Sequence, residues 1–220
     1  MHFAANSLVG ESMTLPLKYY NNNVNGTETL LEVLVETGVK NIVFSSTAAT
    51  YGEASEMPIL ETTPTIPTNT YGETKLAIEK MLKWTHQAHD LNYVCLRYFN
   101  VAGADASGLI GEAHTTETHL IPLVLQVPLD QRPHITVFGT DYPTPDGTCI
   151  RDYIHITDLV DAHILALRFR PCASGKYRNH PHDHRMQRRG CRSRPDPGGL
   201  CRGCCGIHYT FRSKERIGHE

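Results

Sequence analysis

The sequence predicts an α/β chain built on a doubly wound parallel sheet, and three observations carry that expectation. Ile42, Val43 and Phe44 form a short apolar, β-prone run, the mark of a strand buried on both faces. Helical patterns lie before and after it, and Tyr93 to Tyr98 reads as a second strand, so helix and strand alternate as in parallel sheets. The first run empties into Ser45, Ser46 and Thr47, three hydroxyls at the strand's carboxyl end, the edge where open α/β sheets bind ligands.

Taken in order, His2 to Ser7 (HFAANS) reads as the end of a strand running into a loop. Tyr19 to Gly26 (YYNNNVNG) is rich in side chains that bond locally to backbone, which predicts a turn or a helix start. Thr27 to Thr37 carries Leu30, Leu31, Val33 and Leu34 on one helical stripe, with Gly38 in the C′ position. Strand Asn41–Ser45 and a polar, proline-rich loop follow. From Tyr71 a helix places Ile78, Met81, Leu82, Thr85 and Ala88 at i, i+3, i+4, i+7 and i+10. His86 and His89 on it lack further ligands and read as solvated, so no metal site is expected. The strand Tyr93–Tyr98 delivers Phe99 and Asn100 to the carboxyl edge. Thr118 to Val127 is an apolar helix with Pro122 in its first turn. Ile135 to Phe138 reads as a strand, and Tyr142 to Thr148 (YPTPDGT) as a turn cluster. Arg151 opens another strand, and Thr157 caps a helix from Asp158 to Leu167.

Tyr71 and Lys75 are four residues apart on one helix, so both point from one face. The spacing alone describes an ordinary surface pair. The strand, the hydroxyls and the loop before it point instead to a crevice where hydroxyl, phenol and ammonium converge. A phenol with a pKa near ~10 is a poor base at neutral pH, and a neighbouring lysine cation lowers it. Tyr71 then becomes a proton acceptor, with Thr47, and Ser46 second to it, holding the substrate oxygen. Arg151, at a loop–strand junction, suits either a diphosphate or an internal pair with Asp146 or Asp152, and spacing does not choose between them.

SSTAATYG followed by YGETK resembles the extended short-chain dehydrogenase/reductases, and within them the family of UDP-glucose 4-epimerases. HFAANSLVGES, YYNNNVNGT, LRYFNVAGA and FGTDYPTPDGTCIRDYIHITDLVDAH are similar to that family's other signatures, in the same order. The resemblance covers residues 2 to 176. It implies a Rossmann-like core lacking its first strands, joined to part of a smaller substrate-binding domain. It also implies interconversion of UDP-glucose and UDP-galactose through a 4-keto sugar with tightly bound NAD, in galactose metabolism. Tyr71, Lys75 and Thr47 would be catalytic. Phe3, Ala4, Ala5, Ser7, Asn22, Ser45, Ser46 and Phe99 would join Tyr71 and Lys75 around the cofactor. Asn100, His119, Leu120, Phe138 and Arg151 would join Thr47 and Tyr71 around the nucleotide sugar, where the family favours a diphosphate at Arg151. The family also implies a homodimer, with Leu34, Met81 and Trp84 as contact candidates. The Ala48-Ala49 pair after Thr47 speaks against a dehydratase, which needs an acid and a base there. Epimerases of N-acetylated or uronic acid sugars stay open, as does a non-catalytic fragment.

An apolar content of 40% with 20% charge fits a globular chain, and no run resembles a membrane span or a signal peptide. Scattered cysteines without a leader suggest reduced thiols and a cytoplasmic location. The net charge of −2 conceals a split. Residues 1–176 hold 11 Lys and Arg against 19 Asp and Glu, whereas residues 177–220 hold 10 against 4. Apolar periodicity stops at the same place. Zinc ligation by Cys201, Cys204, Cys205 and nearby histidines lacks two cleanly spaced pairs. Nucleic-acid binding lacks interleaved aromatics. A shifted reading frame after about residue 176, giving a non-native disordered tail, is the favoured reading.

No G-x-G-x-x-G occurs, and Gly103, Gly108 and Gly111 have the wrong spacing for it. The family holds the cofactor pyrophosphate on such a turn. Residues 1–220 by themselves are therefore expected neither to retain NAD nor to epimerise sugars. Acid extraction of the purified chain and a UDP-galactose assay check this: stoichiometric NAD with turnover would refute it.

Overall fold

The computed structural model describes residues 1–168 and the backbone of a strand at Gly206–Thr210. The remaining expectations for the tail beyond residue 176 fall outside the described residues. The chain divides into two units, Met1–Tyr98 with the described residues from Ala162 onward, and Phe99–Asp161.

The first unit begins with helices α1 (Val9–Thr14) and α2 (Pro16–Tyr19). Of the two readings its composition allowed, turn or helix start, the asparagine-rich stretch takes the helical one. Tyr20–Asn25 continues the helix in π-helical form and leads into α3 (Gly26–Glu36). The reason lies in Asn23, whose side chain bonds tertiary partners instead of its own backbone. α3 stops where expected. Gly38 adopts φ +73°, with Gly38 N–H bonded to the Val35 carbonyl and Val39 N–H to that of Leu34. That is the paired-bond C-terminal motif that glycine at C′ permits.

Strand β1 (Asn41–Ser45) pairs in parallel with β2 (Asn92–Arg97), Ile42 opposite Tyr93 and Ser45 opposite Leu96. Met1–Ser7 begins as a strand end: His2 bridges Phe44 in parallel, through His2 N–H to Val43 O and Ser45 N–H to His2 O. Gly206–Thr210 lies parallel on the far side of β2, a strand within a stretch that shows no apolar periodicity. A 3₁₀ turn, Ala48–Tyr51, follows β1, and α4 (Thr70–His89) returns the chain to β2.

Both faces of β1 are buried, as an unalternating apolar run requires. Ile42 and Phe44 pack with Leu31 of α3 and with Ile78 and Leu82 of α4. Val43 packs on the other side with Val94, Leu96 and Ala166 of helix α6 (Ile156–Arg168).

The second unit holds β3 (Asn100–Ala102) parallel to β4 (Tyr153–His155), and α5 (Leu120–Gln126). Two expectations fail here. Residues 135–138 form no strand, because Val137 and Phe138 stand 62% and 84% exposed with no ladder to join. Thr157 does not cap α6 but lies inside its first turn, and the His155 ring accepts from the Thr157 N–H. Among the described residues no helix is long and apolar enough to cross a membrane.

Gly72 is where α4 meets the 3₁₀ turn. A Cβ there would lie 2.7 Å from the Ala49 carbonyl oxygen and 3.1 Å from Pro67 Cβ. Gly72→Ala is expected to destabilise the chain by about 1–3 kcal/mol through overpacking, despite alanine's better helix propensity. An unchanged urea midpoint would show that α4 does not press on the turn.

Candidate active site

The site is assembled where β1 ends and α4 begins. Asn69 caps α4, its side-chain oxygen accepting from Gly72 N–H at 2.8 Å. The Tyr71 N–H, another free donor of that first turn, is taken by Ser12 Oγ of α1 at 3.1 Å. These two bonds fix the start of the helix, and helical spacing then lays Tyr71, Lys75 and Glu79 along one face.

Lys75 is buried beneath the end of the strand. Its ammonium donates to the Ser45 carbonyl at 2.8 Å and lies 4.9 Å from the Phe44 ring centroid and 5.8 Å from that of Tyr71. Loss of hydration pulls its pKa down to about 8. The Thr47 side chain neighbours the Tyr71 phenol and favours its ionised form. Tyr71, Lys75 and Thr47 therefore do converge, with the Ser45 backbone among them.

The electrostatics correct one sequence expectation. Burial, then the neighbouring Tyr98, pushes Tyr71 up to about 12, against a smaller lowering by Thr47. Lys75 aims its charge at the Ser45 carbonyl and supplies no resolved lowering. Ser46 also departs from expectation. Its side chain is buried and donates to Glu79 Oε1 at 2.5 Å, so its hydroxyl turns into the core and not toward Tyr71.

The segment from Phe3 to Ser7 is held from below by Asn23. Asn23 Oδ1 accepts from Asn6 N–H at 2.8 Å, and its Nδ2 donates to the Asn6 carbonyl and to Thr74 Oγ1, both at 3.1 Å. Tyr19 donates to the Leu8 carbonyl at 2.7 Å. Beside them opens a cleft of ≈ 350 Å³ lined by His2, Ala4, Ala5, Asn6, Asn22 and Gly26. The small side chains of Ala4 and Ala5, with open space over Gly26, make a trough suited to a flat ring. Asn22 stands exposed at its rim, its amide donating to Asn23 Oδ1. Phe3 is largely exposed and lies 5.0 Å from the His163 ring.

The other predicted residues belong to the second unit. Phe99 is half-buried, and Asn100 opens β3 with its N–H on the Asp152 carbonyl at 3.1 Å. Leu120, Phe138 and Arg151 are exposed. His119 and His114 converge with Glu112 and Glu117, and the two imidazoles pair with the carboxylates.

Sequence reasoning missed Ser12, Asn23, Glu79, Arg97 and Tyr98. Tyr98 is bonded through its hydroxyl to Ser45 Oγ. Arg97 carried a visible signal, an arginine inside the strand Tyr93–Tyr98, since a charge at such a position needs a buried partner.

The family model described as NAD dependent epimerase/dehydratase family matches residues 1–176. The UDP-glucose 4-epimerase of Halalkalibacterium halodurans is 66% identical over 166 residues, which are 76% of this chain and 50% of that protein. That of Lacticaseibacillus casei is 57% identical over 169 residues, 77% of this chain and 51% of its own. Among solved structures, UDP-glucose 4-epimerase from Brucella ovis in complex with NAD aligns at a TM-score of 0.73 and 52% identity, covering 76% of this chain and 51% of that one. The enzyme from Bifidobacterium longum, in complex with NAD+ and UDP, aligns at 0.76 and 36% identity, covering 96% and 55%. The chain spans about half the length of the curated relatives it matches. With its parallel Rossmann-like core and this extent of matching, the chain belongs to the NAD-dependent epimerase/dehydratase family.

Proposed function

We propose that the whole protein interconverts UDP-glucose and UDP-galactose with bound NAD, in galactose metabolism. The observation that carries this is the meeting of Tyr71, Thr47 and Lys75 at the carboxyl end of β1. In this reading Phe3, Ala4, Ala5, Ser7 and Asn22 border the nicotinamide, together with Ser45, Phe99 and Lys75. Thr47 and Tyr71 meet the sugar, while Asn100, His119, Leu120, Phe138 and Arg151 serve the nucleotide.

Tyr71 takes the proton from the sugar 4-hydroxyl and returns it. Thr47 holds the same oxygen in line with the phenol. NAD, when bound, supplies a reversible hydride acceptor and a positive ring charge, which a phenol held near 12 needs before it can act as a base at neutral pH. Lys75 adds the resident cation and keeps the phenol at the strand end. The free thiols of Cys95 and Cys149 suit a reducing cytoplasm. Trp84, 64% exposed on α4, suits a second copy of the chain, although Leu34 and Met81 already pack partly on the core.

The test joins residues 1–176 to the flanking segments of the Halalkalibacterium halodurans relative. Tyr71→Phe is expected to lower turnover by a factor on the order of 10² to 10⁴ while leaving UDP-sugar binding intact. A Phe variant with undiminished turnover would remove Tyr71 from the mechanism. UDP-N-acetylglucosamine in the same assay separates the sugar preferences.

Lys75 also leaves a signature in stability. Its folded pKa of about 8 lies below the ordinary 10.5, so between these values the unfolded chain binds the more protons. Stability from this group therefore rises with pH from about 8 toward 10.5, by at most roughly 3 kcal/mol. Tyr71, raised to about 12, opposes it only above pH 10. Urea unfolding between about pH 8 and 9.5 should show the rise in the parent and not in Lys75→Met. Equal slopes in the two would mean that Lys75 is hydrated.

A further inference from the structure

We propose that the buried Glu79–Arg97 pair is a positioning device, holding residues 46–51 so that Thr47 meets Tyr71. Glu79 lies one turn after Lys75 and two after Tyr71 on α4. Its Oε1 accepts from Ser46 Oγ at 2.5 Å and from Arg97 Nε at 2.9 Å. Its Oε2 accepts from Arg97 Nε at 3.2 Å and Nη2 at 2.5 Å. The remaining arm of the fork, Nη1, donates to the Tyr51 hydroxyl at 3.0 Å, with the guanidinium carbon 4.9 Å from the Tyr51 ring centroid.

The consequence is geometric. Ser46 immediately precedes Thr47, and Tyr51 closes the 3₁₀ turn that follows it. One ion pair thus ties both ends of the segment carrying Thr47 to the helix carrying Tyr71 and Lys75. Ser46 and Tyr51 are each 1% exposed, Glu79 3% and Arg97 5%, so water does not replace a lost bond without rearrangement. A buried ion pair adds little stability over an apolar pair of equal volume; what it supplies is fixed direction. Arg97 also directly precedes Tyr98, whose hydroxyl holds Ser45 Oγ.

The assignment rests on the reading of Tyr71, Lys75 and Thr47 as the reacting cluster. The groups facing Lys75 are the Ser45 carbonyl, the rings of Phe44 and Tyr71, and His2, whose pKa Lys75 helps to lower; Tyr98 stands behind the Ser45 hydroxyl. Loosening residues 46–51 frees the Ser45 carbonyl and readmits water to the ammonium. The Lys75 titration therefore reports the loop's position, while a pair that only fills the core would leave it unmoved.

The experiment follows the ¹³Cε resonance of Lys75 against pH in residues 1–220, assigned by its loss in Lys75→Met. The variant Ser46→Ala/Tyr51→Phe cuts both tethers and keeps the ion pair. Its Lys75 midpoint is expected to move upward from about 8 by about one pH unit or more, toward the ordinary lysine value. The variant Glu79→Leu/Arg97→Met removes both charges together, leaves no orphaned ion, and is expected to move it the same way. Either variant, folded and still titrating near 8, overturns the assignment. The titration contains neither NAD nor sugar, so its failure would leave the proposed reaction standing, and a failed turnover assay would leave the tethering intact.

Discussion

The constraint on which this site depends is a positive charge kept under the end of a strand. The Lys75 ammonium has lost most of its water and is compensated by the Ser45 carbonyl and two ring faces. Such a charge tolerates little slack, because any retreat of the strand end or the helix leaves it unpaired in an apolar medium. The surrounding bonds follow from that need. Asn69 and Ser12 fix the first turn of α4, and Asn23 spans from Asn6 to Thr74. Parallel pairing of β1 with β2 and with His2 fixes the carboxyl edge.

The polar groups around the end of β1 form two layers. Thr47 and Tyr71 are half-buried at the strand end, with Lys75 held beneath it on the Ser45 carbonyl. Ser46, Tyr51, Glu79 and Arg97 lie behind them, entirely in the core, where their bonds to one another offset their desolvation. Ser45 and Ser46 show how sharply the pleat divides side chains here: adjacent ones at a strand end point to opposite faces. One hydroxyl meets Tyr98, the other Glu79.

Much of the first unit was legible because its signals are local. The β1 run, the α3 stripe with Gly38 and the α4 stripe each bury a face that periodicity reveals, and the structure places them within a residue or so of the sequence reading. What was not legible has the opposite cause. Ile135 to Phe138 has strand propensity but no ladder, and propensity cannot supply a partner. The asparagines of YYNNNVNG allowed a turn or a helix start, and tertiary bonds that a local reading cannot see decided for the helix.

The sequence by itself determined the α/β alternation, the hydroxyl cluster at a strand end and the Tyr71–Lys75 spacing, since each rests on neighbours within a few residues. Its motifs also carried the family resemblance. Only the tertiary structure decided which hydroxyl faces the phenol, where the lysine charge points, and how Glu79 and Arg97 reach the segment around Thr47. Those bonds join residues 18 to 46 positions apart, and their strength comes from burial, a property of the packed chain that no stretch of sequence possesses alone.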